Sequence, residues 1–97
     1  VGVGSNAARL ITTGNYNTAT GAYALSNATT QDNNTAVGYS ALAESTSGSS
    51  NTAVGYQAGE NLSTATHNVA LGFQALNGVV TGNVNTALGA NALGSVT

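Results

Sequence analysis

The chain has 97 residues, with one basic and three acidic side chains, no cysteine, no methionine, no tryptophan and a formal net charge of −2. A single cation cannot make the several phosphate contacts on which nucleic-acid binding rests, so that class is excluded. Without thiols there are neither disulfides nor thiolate metal sites. No segment approaches the ~20 apolar residues of a membrane-spanning helix, so no membrane insertion and no cofactor are expected.

A glycine recurs at Gly4, Gly21, Gly38, Gly55, Gly72 and Gly89, always 17 residues apart. Ala7, Ala24, Ala41, Ala58, Ala75 and Ala92 follow three residues after each glycine, and Asn17, Asn34, Asn51, Asn68 and Asn85 stand four before it. A fixed period without insertions is the mark of an array in which each unit buries its face against the next. The prediction is one repeat array over residues 1–97, cut from a longer fibre.

Taken along the chain, the first half of each unit, from Asn17, Asn34, Asn51, Asn68 and Asn85 onward, alternates in the manner of a strand. Thr35, Val37 and Tyr39 share one face, while Asn34, Ala36 and Gly38 share the other. The bulky face, with Leu25, Leu42, Leu76, Leu93, Ile11, Leu62, Val79 and Val96, is expected to line the coil. The Ala/Gly face then permits another backbone to approach a shared axis, with Ala36, Ala53, Ala70 and Ala87 nearest to it. The opposite assignment, with alanine and glycine inside a very narrow coil, stays open.

The second halves, residues 11–15, 28–32, 45–49, 62–66 and 79–83, are rich in Thr, Ser and Asn, with a second glycine at Gly14, Gly48 and Gly82. They read as a short strand entering an outer corner, where Ser49 tolerates substitution. Seventeen residues therefore make one coil of two short strands and two turns. Helix is disfavoured because each glycine costs it about 1 kcal/mol. The fold class is all-β, a parallel β-solenoid (β-roll or β-helix) of about six coils, roughly 28 Å long at the strand spacing. A core this thin, with four Tyr and one Phe as its only aromatics, points to burial against other chains.

Residues 34–42 and 51–58, Asn-Thr-Ala-Val-Gly-Tyr-x-Ala-Leu and its near copy, resemble the repeats of bacterial and phage tail-fibre proteins, many of which end in an intramolecular chaperone domain. They are similar, more loosely, to the head repeats of trimeric autotransporter adhesins. The resemblance covers the whole chain and implies a homotrimeric fibre segment on a virion or cell surface, outside the cell. It also implies attachment to a host-surface glycan or protein receptor. Thr20 in place of an aliphatic residue and Gly59 in place of leucine depart from the pattern.

Candidate chemistry is thin. His67 has no metal-ligating companion at its phase and reads as a solvated turn residue. Glu44 and Glu60 fall near one phase as an acid and base would, but read as exposed corner residues. Gly2-Val3-Gly4 is explained by the repeat without a phosphate, and the sequons at Asn27, Asn33 and Asn61 by the abundance of Asn and Thr. The asparagines at Asn17, Asn34, Asn51, Asn68 and Asn85 are expected to form a hydrogen-bonded ladder from coil to coil. Tyr39, Tyr56 and Phe73 form an aromatic ladder, a buried stack or, if outward, a sugar platform. The residues thus favour a structural or adhesive module over an enzyme. The alternatives are an ice-binding solenoid, which needs outward Thr ranks two apart, and an extracellular filament subunit without receptor binding.

Overall fold

The computed structural model describes residues 2–78 and 83–93; Val79, Val80, Thr81, Gly82 and Val96 lie outside them. Six strands follow one another in chain order: β1 (Gly2–Val3), β2 (Thr18–Thr20), β3 (Thr35–Val37), β4 (Thr52–Val54), β5 (Val69–Leu71) and β6 (Thr86–Leu88). They form one parallel sheet in the same order, and each pairing is offset by one repeat, as in Thr35↔Thr52, Ala36↔Ala53 and Val37↔Val54. The chain is a β-solenoid of 17-residue coils, 30 Å in its longest dimension.

The faces take the second of the two assignments left open by the alternation. In strands β2 to β6 the central alanine is buried and its neighbours point outward, so Ala19, Ala36, Ala53, Ala70 and Ala87 line the coil. The expectation that the bulky face of Thr35, Val37 and Tyr39 lines the interior, with the alanines against a neighbouring chain, is therefore corrected. The reason is the width of the coil. A loop that reverses direction within so few residues has room for one large aliphatic side chain per turn, and the strand must contribute a methyl group.

That single aliphatic alternates between two places. Leu25 and Leu42 are fully buried opposite the small Ala28 and Ser45, whereas Leu62 is fully buried where its coil carries Gly59. A Cβ on Gly59 would lie 2.9 Å from Leu62 Cδ1 and 3.1 Å from Leu42 Cδ2, so the glycine leaves space for Leu62. Ala8 and Ile11 repeat the exchange in the first coil, both packed against the core. The departure of Gly59 from the repeat is thus a conservation of volume.

Each strand ends in consecutive tight turns. Ala24 N–H donates to Gly21 O at 3.2 Å and Ser26 N–H to Tyr23 O at 3.2 Å, and Ala41, Ala58 and Ala75 bond to their glycines likewise. This i→i+3 bond sets the three-residue spacing between the recurring glycine and alanine. The turns carry left-handed residues: Tyr23 has φ 61° and Leu25 φ 53°, repeated at Ser40 and Leu42 and at Gln74 and Leu76. Sixteen of the described non-glycine residues have positive φ, each costing on the order of 1 kcal/mol, a strain that one coil alone cannot offset and stacking must.

The predicted second strand per coil is not formed among the described residues. In its place hydroxyl-rich bends bond from coil to coil, with Thr12 N–H to Thr29 O at 3.0 Å and Ser47 N–H to Ser63 O at 2.9 Å. Short polar side chains that compete for backbone groups, and a left-handed residue at Tyr16, Asn33, Ser50, His67 and Val84, keep this half out of the sheet.

Candidate functional site

The recurring glycines form a column inside the array. A Cβ on Gly38 would lie 2.6 Å from Gly55 O, and one on Gly55 2.6 Å from Gly72 O, with φ of 127° and 130°. The backbone that comes so close belongs to the next coil of the same chain. Gly89, at the end of the column, meets nothing within 4 Å.

The asparagines build a ladder through the backbone. Asn34 N–H donates to Asn17 Oδ1 at 3.0 Å, Asn51 N–H to Asn34 Oδ1 at 2.8 Å, Asn68 N–H to Asn51 Oδ1 at 2.9 Å and Asn85 N–H to Asn68 Oδ1 at 2.8 Å. The amide nitrogens turn the other way and tie down the bend of their own coil, Asn34 Nδ2 to Gly48 O at 3.1 Å and Asn51 Nδ2 to Ala65 O at 2.8 Å. Asn68 Nδ2 also donates to Asn51 Oδ1, at 3.2 Å, and so joins two side chains of the ladder directly. Asn34, Asn51 and Asn68 are completely buried; Asn34 and Asn51 each fasten one coil to the next and close their own loop.

A second ladder, two residues before the asparagines, escaped the reading of the sequence. Asn15 N–H donates to Asp32 Oδ1 at 2.7 Å, Asp32 N–H to Ser49 Oγ at 3.1 Å and Thr66 N–H to Asn83 Oδ1 at 2.9 Å. The signal was present: Asn15, Asp32, Ser49, Thr66 and Asn83 are of four residue types, yet all carry a side-chain oxygen at one phase. Ser49 is thus a ladder member, which corrects its description as an indifferent corner. Gln31, buried where other coils have Gly14 and Gly48, accepts Thr29 N–H at 2.7 Å and donates to Ser45 O.

The outward face of the sheet carries two rows, Thr18, Thr35, Thr52, Val69 and Thr86, and Val3, Thr20, Val37, Val54, Leu71 and Leu88, with the aromatic row beside them. Tyr39, Tyr56 and Phe73 face solvent, 45%, 43% and 50% exposed. Tyr39 and Tyr56 stack with centroids 5.4 Å apart and 12° between planes, and Tyr56 and Phe73 at 5.2 Å and 8°. Tyr23, one phase later in its repeat, closes the row edge-on to Tyr39 at 5.8 Å. The ladder is outward and not a buried stack. Its neighbouring rings cover one another's faces, so the stack presents edges and hydroxyls instead of a sugar platform. Gln74 Nε2 donates to Gln57 Oε1 at 2.9 Å alongside it.

No charged side chain lies on this face. Arg9, Asp32, Glu44 and Glu60 all sit in the turns and bends between strands. Glu44 accepts from Asn27 Nδ2 at 3.2 Å, and its backbone N–H donates to Glu60 O at 2.8 Å. Partial burial, with the charge of Glu44 behind it, raises the pKa of Glu60 above its usual 4.5. His67 is exposed in a left-handed turn and its backbone N–H donates to Ser49 O at 3.2 Å. Among the described residues no group of three or more His, Cys, Asp or Glu could hold a metal ion, and no pocket is formed. Comparison of the chain with protein families, with curated proteins and with solved structures gave no match.

Proposed function

We propose that the chain is a structural and adhesive module of an extracellular or virion fibre, in which three parallel copies associate through the outward Thr/Val/aromatic face. The array spaces or presents a receptor-binding tip that attaches to a glycan or protein on a host surface. One observation carries this reading: an uncharged strip of Val3, Val54, Leu71, Leu88, Tyr39, Tyr56 and Phe73 stays exposed along the whole solenoid. An apolar strip of this length on a protein surface marks an interaction site. Covering a half-buried aliphatic or aromatic side chain contributes roughly 1 kcal/mol, so each added coil strengthens lateral association. The copies meet with little repulsion because each carries a net charge of only −2. The number three and the surface setting come from the resemblance of the Asn-Thr-Ala-Val-Gly-Tyr repeats to trimeric fibres.

Sedimentation of the chain beside Val54→Glu tests it. The wild type is expected to sediment as a lateral oligomer and Val54→Glu, a charge at the centre of the strip, to dissociate. A wild-type chain that stays monomeric and folded at micromolar concentration contradicts the reading.

A second reading has one observation in its favour. Thr18, Thr35, Thr52 and Thr86 do face outward on a parallel sheet, as an ice-binding surface requires. Val69 interrupts that row, however, and Val37, Val54, Leu71 and Leu88 stand where a second threonine row would be. A thermal-hysteresis assay decides it.

A further inference from the structure

Two adjoining coils hold phenol rings face to face, and we propose that Tyr39 and Tyr56 are a modification site at which a peroxide-driven oxidation joins the two rings by a carbon–carbon bond. The bond staples one coil to the next. This goes beyond lateral association, because it links coils of a single chain and not one chain to another.

The ring geometry decides which phenols can join. A tyrosine that loses an electron and its phenolic proton becomes a phenoxyl radical, whose unpaired electron is shared by the two Cε atoms in lobes perpendicular to the ring plane. Two such radicals bond where their lobes meet. Tyr39 and Tyr56 lie 12° from parallel with centroids 5.4 Å apart, so the lobes of each ring point at the other. Tyr23 is the rival partner of Tyr39, but its plane stands at 76° with centroids 5.8 Å apart, and its lobes run across the line between the rings. Phe73 stacks on the far side of Tyr56 and has no phenolic proton to lose. Tyr16, the most exposed of the four tyrosines, belongs to no ring pair among the described residues.

The backbone holds the pair in place while the side chains stay free to close the remaining gap. Gln57 N–H donates to Tyr39 O at 2.8 Å, which fixes the coil of Tyr56 on that of Tyr39, and both rings are half exposed on the single chain. The oxidant is hydrogen peroxide acting through a haem peroxidase. One peroxide takes an electron and a proton from each phenol and leaves as two waters. The new bond joins a Cε of Tyr39 to a Cε of Tyr56, and the hydrogen on each of those carbons then passes as a proton to its own ring oxygen, which restores both phenols. The product is lighter than the chain by two hydrogen atoms. A link across one repeat closes a loop in the unfolded chain, as a disulfide would, in a sequence that has no cysteine to form one.

Peroxidase and hydrogen peroxide applied to the intact chain and its variants provide the test, read by dityrosine fluorescence, by mass mapping of proteolytic fragments and by chain mass under denaturing conditions. The wild type is expected to give a product of single-chain mass less two hydrogens, with the Tyr39 and Tyr56 fragments joined and a urea midpoint above that of the untreated chain. Tyr39→Phe and Tyr56→Phe keep the ring stack but lose one phenol, and each should abolish this product. Tyr16→Phe and Tyr23→Phe should form it as the wild type does. Val54→Glu, which opens the lateral contact, should form it too, because the link needs one chain only. A link mapped chiefly to Tyr23 and Tyr39, a product made mainly between chains through Tyr16, or no single-chain product from Val54→Glu overturns the proposal and leaves the lateral reading standing. The mapped linkage of the wild type decides the matter even where a variant fails to fold.

Discussion

Replacing Gly55 by alanine inserts one carbon atom into the glycine column. That Cβ would stand 2.6 Å from Gly72 O and 2.8 Å from Gly72 C, backbone atoms that cannot rotate away, at a φ of 130° that disfavours any L-residue. The backbone conformation alone costs about 1 to 3 kcal/mol. Relieving the contact requires the coils to part, which weakens Gly72 N–H to Val54 O and Gln74 N–H to Tyr56 O, at 2.9 and 2.8 Å, each worth about 1 kcal/mol. Together the cost reaches about 3 to 5 kcal/mol, a large share of the ~5 to 15 kcal/mol that holds a domain folded. Gly89→Ala is the control, because its φ of 109° is also left-handed yet nothing lies within 4 Å of the added carbon. Only the conformational part then applies. Urea unfolding followed by circular dichroism should show Gly55→Ala less stable than Gly89→Ala by about 2 kcal/mol, the two lost bonds. Equal midpoints for the two variants refute the claim that the column is a close-contact seam between coils.

Four further outcomes follow from the same geometry. Asn51→Ala leaves the Asn68 N–H without its acceptor and Ala65 O without its donor, and should cost about 2 to 4 kcal/mol in urea unfolding, while Asn27→Ala, at a half-buried position outside the ladder, costs a few tenths. Leu62→Ala should cost about 2 to 4 kcal/mol and Gly59→Leu about 1 to 3 kcal/mol, but the double variant should cost less than their sum, since it recreates the Leu25 and Ala28 arrangement of an earlier coil. Val84 is β-branched at φ 61° and 77% exposed, so Val84→Gly should raise the melting midpoint by relieving about 1 kcal/mol of strain. Burial and Glu44 raise the folded pKa of Glu60, so the unfolded chain ionises first and stability should fall as pH rises from about 4.5 through the folded value; Glu60→Gln should flatten that slope in pH-dependent melting.

The period, the parallel register and the columns of Gly, Ala and Asn were legible because each is written five or six times in phase. The faces were harder. Thr35-Ala36-Val37 alternates equally well for a wide coil lined by Val and for a narrow one lined by Ala, and the choice depends on the coil's width. That width is set by the left-handed turns at Ser40 and Leu42, residue types that do not announce positive φ. The second strand expected over residues 28–32 failed because the Gln31 side chain takes the backbone N–H groups of Thr29 and Thr30 and turns its own amide to Ser45 O. The corner ladder was hidden by its chemistry: Asn15, Asp32, Ser49, Thr66 and Asn83 share an acceptor oxygen and nothing else. Tyr23 joins the aromatic row from a neighbouring phase, which a column-by-column reading does not connect.

The outward face is the centre of the account, and the mass of the particle it holds together is its most direct measure. Light scattering of the chain should give three times the chain mass of 9.4 kDa at micromolar concentration, and Val54→Glu should abolish that mass. A folded particle of 9.4 kDa from the unsubstituted chain contradicts the account.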